Sequence, residues 1–217
     1  YGHQGWWPVT ERDELTPTYK KRNLLTEKQI LEICIGALLT TNTKWEPNVT
    51  TSLTNLNKEN LINLEKLKKI DHKKLTNLIK SSGYYNQKAE RIKLFVQFLH
   101  EFPIRKLQKL ETTKLRELLL KQKGVGPETA DSIALYAFNK PSFVIDAYTK
   151  RIFERLGLIN ENLEYQEIQQ FFHNNLEKNP QLYNEFHALI VEHAKQHCKK
   201  QPKCEECPLN NSCKKII

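Results

Sequence analysis

Three shortages limit the kinds of protein that this sequence can encode. Only seven of the 217 residues are glycine, which argues against a strand-rich fold with many tight turns. No apolar run reaches the roughly 18 residues that a membrane span needs, so we expect no membrane association. Residues 1–10 show no basic region followed by an apolar stretch, so we expect no secretory signal and an intracellular, cytoplasmic location.

The chain carries an excess of positive charge. Its 34 lysines and arginines outnumber its 25 acidic residues, which gives a formal net charge of +9. Such an excess favours a polyanionic partner, although a solvated lysine-rich surface has the same composition. Hydrophobic residues make up 39% of the chain, which is enough for one large core or two small ones.

Four of the five cysteines lie within the last 20 residues. They follow the spacing C-x5-C-x2-C-x5-C, as Cys198, Cys204, Cys207 and Cys213. Disulfides, a zinc site and an iron-sulfur cluster all use such groups. A single short C-x2-C between two longer arms favours a structural 4Fe-4S cluster over zinc. Cys34 stands alone in an apolar segment and is predicted to be buried.

Apolar residues recur three and four positions apart along most of the chain, which predicts an all-α fold. The pattern is clearest in residues 29–39, 61–67, 73–79, 89–102 and 113–121. Thr26, Thr113 and Asp146 stand where N-terminal capping residues are expected.

Residues 121–138 have the pattern of a helix-hairpin-helix. A helix is predicted to end at Lys123, and a second helix opens at Pro127 after the turn Gly124-Val-Gly126. Free N–H groups at such a turn can bind a phosphate oxygen of DNA without reading the base sequence. A turn of this kind also connects helices in proteins that bind no DNA, so the motif alone is weak evidence.

Together with Asp146, the hairpin resembles that of the endonuclease III superfamily of DNA glycosylases. The segments Leu38–Trp45 and Gly83–Ala89 are similar to further family signatures, and the four cysteines are similar to the family's cluster loop, with one residue fewer in the first arm. The resemblance implies two helical domains. Residues 25–139 would form a six-helix barrel ending in the helix-hairpin-helix, and residues 1–24 with 140–217 the iron-sulfur domain.

The same resemblance implies a DNA glycosylase of base excision repair that acts on duplex DNA. Bifunctional members carry a lysine that attacks the sugar, two residues after the second hairpin glycine, whereas this chain has Glu128 there. A carboxylate cannot form a Schiff base, so we expect a monofunctional enzyme in which water is the nucleophile. Lys123 is an alternative amine beside the turn.

Asp146 is the predicted catalytic carboxylate. A carboxylate beside the sugar can stabilise the oxocarbenium ion that forms as the glycosidic bond breaks, or deprotonate the attacking water. The alternative role for Asp146 is only that of a helix N-cap, and the two roles are compatible.

All three tryptophans fall in two short segments, as Trp6, Trp7 and Trp45. Together with Glu128 they resemble the 3-methyladenine DNA glycosylase III branch of the superfamily, which implies that they stack on a flipped base. An alkylated purine is cationic, and an electron-rich aromatic pocket would select it. Packing in the hydrophobic core is the alternative role for each indole.

Further residues are candidates for contact with DNA. By resemblance Asn42 would enter the gap left by the flipped base, with a plain helix C-terminus as the alternative. Lys199, Lys200 and Lys203, with the hairpin residues Lys123, Gly124 and Gly126, would face the phosphates. We expect a nucleoid-associated monomer. The competing hypotheses are a glycosylase for oxidised or mismatched bases, and a non-catalytic helix-hairpin-helix module.

Overall fold

The computed structural model describes residues 1–20 and 24–216, which form two compact units. One unit is Gly5–Lys140, and the other combines Tyr1–Gln4 with Pro141–Ile217. The predicted domain boundary also falls near residue 140. The sequence analysis assigned all of residues 1–24 to the C-terminal domain, and that division stays a prediction. Residues 21–23 of that segment lie outside the described residues.

The Gly5–Lys140 unit consists of helices joined by short turns. Its α-helices are α1 (Glu27–Thr40), α2 (Thr50–Lys58), α3 (Leu64–Lys69), α4 (His72–Leu78), α5 (Tyr85–Glu101), α6 (Ile104–Leu107), α7 (Thr112–Leu120) and α8 (Pro127–Ser132). The described part of this unit also contains a π-helical turn at Ile133–Ala137, a 3-10 turn at Lys80–Ser82, and a kinked segment at Trp45–Val49 in which Glu46 has extended backbone angles.

The described part of the second unit contains three helices: α9 (Ala147–Leu156), α10 (Tyr165–Asn175) and α11 (Pro180–Gln196). Over the described ranges the extended backbone pairs only at one isolated bridge, Val9 with Thr18, so the predicted all-α class is confirmed. No helix in the described part of the chain has both the length and the apolar character to cross a membrane.

Helix α1 is the centre of the first unit. Thr26 caps it through a reciprocal pair of hydrogen bonds with Gln29, as the sequence predicts. Every residue from Gln29 to Leu39 is buried. Cys34 is fully buried, as predicted, and burial raises the pKa of its thiol.

A buried carboxylate ties the N-terminal segment to α1. Glu32 is 1% exposed and accepts hydrogen bonds from the Thr10 amide at 2.8 Å and the Thr10 hydroxyl at 2.6 Å. The Asn57 amide donates a third bond of 2.8 Å to the same carboxylate. These bonds satisfy a charge that would otherwise be costly to bury, and they explain why residue 10 belongs to this unit.

The helix-hairpin-helix is present, although its first helix ends at Leu120 and not at the predicted Lys123. Gly124 adopts φ +83°, a conformation that suits glycine, and α8 then opens with Pro127. The prediction that Thr113 caps α7 is wrong, because α7 already begins at Thr112 and Glu111 precedes it.

Candidate active site

Asp146 stands at the start of α9 as its N-cap. One carboxylate oxygen, Oδ1, accepts hydrogen bonds from the Thr149 amide at 2.7 Å and the Thr149 hydroxyl at 2.8 Å. The other oxygen, Oδ2, lies 3.6 Å from Nε2 of His187. The capping role is therefore confirmed, and it leaves Oδ2 outside the cap.

The surroundings of Asp146 favour its ionised form. Burial by itself raises the pKa of this carboxyl, but the interaction with the imidazole of His187 and the two hydrogen bonds from Thr149 outweigh it. The pKa of Asp146 is therefore below its ordinary value. At neutral pH the group is a carboxylate that can stabilise a cation or accept a proton.

Asp146 opens onto a groove of the second unit. The groove is lined by Ile145, Asp146, Ala147, Lys150, Ile168 and residues 161–165. Tyr165 fixes one wall, because its hydroxyl accepts a hydrogen bond of 3.3 Å from the Ile145 amide. A carboxylate in such a groove can be reached by substrate and by water.

In the first unit, the structure brings the three predicted tryptophans together. The ring of Trp7 lies 5.2 Å from that of Trp45 and 5.9 Å from that of Trp6, both edge to face. Gly36 makes room for them, since a Cβ atom there would lie 3.3 Å from the rings of both Trp7 and Trp45. Nε1–H of Trp7 is buried and has no acceptor among the described residues.

Tyr136 belongs to the same aromatic cluster and was missed by the sequence analysis. Its ring lies 5.0 Å from Trp7 and 5.9 Å from Trp6. The apolar run after the hairpin predicts burial for this residue, but nothing in the sequence indicates that it meets the tryptophans. We use the name aromatic cluster for Trp6, Trp7, Trp45 and Tyr136.

Asn42 follows the end of α1 and is exposed, with the left-handed φ of 55°. Tyr84, also missed by the sequence analysis, has φ 45° and is 68% exposed at the start of α5. Left-handed backbone is uncommon outside glycine. The glycine that precedes Tyr84 was the available signal of an unusual turn.

The hairpin residues are accessible. Glu128 is exposed in the first turn of α8, and a Cβ atom at Gly126 would meet open space. Gly124 lies against the Arg91 side chain, which a Cβ atom would approach to 2.5 Å. Lys123 pairs with Glu90 through an exposed contact of 2.8 Å.

The four C-terminal cysteines line one cavity at the end of α11, together with Arg155, His193 and His197. All four are free thiols. Arg155 donates a hydrogen bond of 3.4 Å to the sulfur of Cys198, and its other donors hold the carbonyl oxygens of Lys199 at 2.6 Å and Lys200 at 3.0 Å. Within residues 1–20 and 24–216, no three candidate ligands are placed to share a single metal ion.

The predicted lysines of the cysteine loop have exposed side chains. Lys199 and Lys200 are held through their backbone by Arg155, and the Lys203 amide donates a hydrogen bond of 2.9 Å to the His197 carbonyl. Their ammonium groups are therefore available to an anionic partner while the backbone is fixed.

Comparisons with known proteins show the family of the chain. Residues 35–178 match the HhH-GPD superfamily of base excision DNA repair proteins. MJ1434 of Methanocaldococcus jannaschii, which carries a provisional designation as a DNA repair glycosylase, is 43% identical over 98% of this chain and 90% of its own length. Endonuclease III of Thermotoga maritima is 35% identical over 69% of this chain and 67% of its own.

Solved structures share the fold. The 3-methyladenine DNA glycosylase of H. pylori bound to 1,N6-ethenoadenine is 37% identical, with a TM-score of 0.66 over 76% of this chain and 84% of that one. A non-covalent endonuclease III–DNA complex is 23% identical, with a TM-score of 0.74 over 86% and 83% of the two chains, and shows the fold alone.

The chain belongs to the HhH-GPD superfamily of base excision DNA repair proteins. This confirms the predicted relationship to the endonuclease III superfamily. The family and its relatives together indicate a DNA glycosylase of base excision repair.

Proposed function

We propose that the chain is a monofunctional glycosylase that removes alkylated purines from duplex DNA. The aromatic cluster carries this choice of substrate. It offers several indole faces beside Gly36 and one buried indole N–H without an acceptor in the described chain. Indole faces attract a cationic base, and a ligand acceptor would satisfy the buried N–H.

Asp146 supplies the reaction chemistry in this proposal. As the bond between C1′ and the base nitrogen breaks, its electron pair leaves with the base, and a cationic alkylated purine departs neutral. The sugar becomes an oxocarbenium ion that the carboxylate stabilises. Water then adds to C1′ as Asp146 accepts its proton, which leaves an abasic site.

The absence of strong lyase activity rests on Glu128. A carboxylate cannot form a Schiff base with the sugar, and the nearby amine of Lys123 already pairs with Glu90. Borohydride should therefore trap no covalent enzyme–DNA adduct. An adduct that disappears in Lys123→Gln would show that this amine attacks the sugar.

The substrate is tested by single-turnover excision on matched duplexes that carry 3-methyladenine, 7-methylguanine, hypoxanthine, uracil or 8-oxoguanine. We expect excision of the alkylated purines and only a small residual rate from Asp146→Asn, which should still bind abasic-site DNA. Preferential release of 8-oxoguanine or uracil would assign the enzyme to oxidised or mismatched bases. If the protein binds these duplexes but excises no base, it is a non-catalytic DNA-binding module.

The DNA contacts in this proposal are made by a monomer on nucleoid DNA. The exposed ammonium groups of Lys199, Lys200 and Lys203 would bind phosphates, as would the hairpin at Gly124 and Gly126, and Asn42 would fill the gap in the base stack. Replacing one phosphate-binding lysine by Gln should reduce the slope of log affinity against log salt by about one, equally on damaged and undamaged duplexes.

We further propose that Cys198, Cys204, Cys207 and Cys213 hold a 4Fe-4S cluster. Four free thiols around one cavity support it. When bound, the cluster would be held by the four thiolates and would cross-link residues 198–213. Iron and acid-labile sulfide in the purified protein would support a cluster. One zinc per chain without iron would instead indicate a zinc site.

A further inference from the structure

His187 lies beside the proposed catalytic carboxylate, although no sequence signal assigned it to the site. It sits on α11, its side chain is 5% exposed, and its Nε2 atom is 3.6 Å from Oδ2 of Asp146. Histidine on a buried helix face commonly serves only packing. Here its ring edge is directed to the carboxylate that the proposed reaction uses.

The two oxygens of Asp146 have different environments. Oδ1 is occupied by the amide and the hydroxyl of Thr149, at 2.7 Å and 2.8 Å. Oδ2 faces His187 and is the oxygen that can turn toward water or the sugar. The group that contacts Oδ2 therefore decides where the reacting oxygen points.

The position of His187 is fixed by aromatic packing. Its ring meets Phe143 edge to face at 6.4 Å, and Phe143 stacks on Phe172 at 4.1 Å. The amide of Phe143 donates a hydrogen bond of 3.1 Å to Nε2 of His173, which fixes the same segment. We use the name Phe143 platform for Phe143 and Phe172. An imidazole packed against the Phe143 platform can orient the carboxylate without large movements of its own.

Other titratable groups surround the pair. Lys150, Glu161, Glu164 and Tyr165 line the groove beside Asp146, whereas His173 and Tyr183 contact the Phe143 platform. Lys150 is the cationic member of the groove, and it lies 3.7 Å from Glu154. Among the contacts of Asp146 within the described residues, His187 is the basic group nearest to Oδ2.

We propose that His187 is a positioning residue that orients Oδ2 of Asp146 and keeps the carboxylate ionised during excision. The separation of 3.6 Å is longer than a hydrogen bond and can shorten when substrate enters, as catalytic contacts often do. The inference rests on the proposed function and deepens it. Because Asp146 must be ionised to act, loss of His187 should move the acid limb of the pH–rate profile to higher pH.

The experiment measures single-turnover excision against pH for wild type, His187→Phe and His187→Gln. The Phe variant keeps the ring but loses the polar edge, and the Gln variant keeps an N–H donor near the position of Nε2. We expect His187→Phe to slow excision about ten- to hundredfold and to move the acid limb upward. His187→Gln should restore part of both, and neither variant should lose affinity for abasic-site DNA.

Two controls separate positioning from folding. His173→Gln removes another histidine of this unit but keeps a side-chain acceptor for the Phe143 amide, and His173 does not contact Asp146, so this variant should leave the acid limb in place. Adding His187→Phe to Asp146→Asn should slow the residual reaction no further, because His187 acts through Asp146. A second, independent loss in that double variant would overturn the proposal, as would an unshifted acid limb in both His187 variants.

The two proposals can fail separately. If wild type excises no base from any duplex, the proposed function fails. If wild type is active and the two His187 variants match its rate and its pH profile, the function stands and the role of His187 is wrong. If His187→Phe is insoluble, the pH profile of His187→Gln still decides, because a shifted acid limb supports the role and an unshifted one contradicts it.

Discussion

The ammonium group of Lys88 donates a hydrogen bond of 2.7 Å to the carbonyl oxygen of Leu39 and one of 2.6 Å to that of Ser82. Lys88 is 1% exposed, so this charge is held inside the first unit by backbone carbonyls. Leu39 lies in the last turn of α1, just before the segment that carries Asn42 and Trp45. The buried lysine therefore fixes the end of the helix from which that segment begins.

The first prediction concerns this buried contact. Replacing Lys88 by Met keeps a similar volume but leaves two carbonyl oxygens without their donor. We expect the free energy of unfolding to fall by about 1–3 kcal/mol, measured by urea denaturation. Lys73→Met on the exposed face of α4 is the matched control and should change stability by less than about 0.5 kcal/mol. Equal effects would show that the carbonyls find other donors.

The second prediction is the pH dependence of the same contact. Burial, followed by the charge of Arg91, lowers the pKa of Lys88 to about 8. Between pH 8 and 10.5, Lys88 is therefore protonated in the unfolded chain but largely neutral in the folded chain. Because the unfolded state binds more protons in this window, the contribution of Lys88 to stability grows as pH rises through it. The stability difference between wild type and Lys88→Met should therefore increase from pH 8 to 10. A difference that shrinks would contradict the lowered pKa.

The third prediction concerns the two helices of the hairpin. Arg116 on α7 donates hydrogen bonds from Nε and Nη2 to the two oxygens of the fully buried Asp131 carboxylate on α8, at 2.7 Å and 3.1 Å. Arg116→Met removes the guanidinium from the buried Asp131 carboxylate. The free energy of unfolding should therefore fall by about 3–5 kcal/mol.

An exposed pair on the same helix provides the control for Arg116. Lys114 contacts Glu117 at 3.2 Å with both side chains more than half exposed. Lys114→Met should therefore cost no more than about 1 kcal/mol in the same thermal or urea unfolding experiment. A loss as large as that of Arg116→Met would mean that burial does not determine the strength of these pairs.

The sequence predicts the local features of this fold well. The N-caps Thr26 and Asp146 and the turn at Gly124 all depend on residues a few positions apart, and such signals are visible in a single chain. The end of α7 was placed three residues too late, because nothing between Leu120 and Lys123 disfavours a helix.

Contacts between distant residues were not predictable in the same way. Tyr136 contacts Trp7, which lies 129 positions earlier in the chain. His187 lies near Asp146, which is 41 positions earlier. Both residues lie in apolar helical patterns that predict burial and nothing more. Only packing decides which buried side chains meet, so these site residues became visible in the structure.

The last prediction tests the aromatic cluster. Trp45 lies 5.2 Å from Trp7 and is partly exposed, so we expect it to be the indole that contacts a base. Stacking on an aromatic ring contributes about 1–3 kcal/mol per base, so Trp45→Ala should reduce single-turnover excision of alkylated purines about ten- to hundredfold. Trp45→Phe keeps a ring and should retain most of the activity. Affinity for abasic-site DNA, which has no base to stack, should be nearly unchanged in both variants, whereas equal losses of excision and affinity would assign Trp45 to folding.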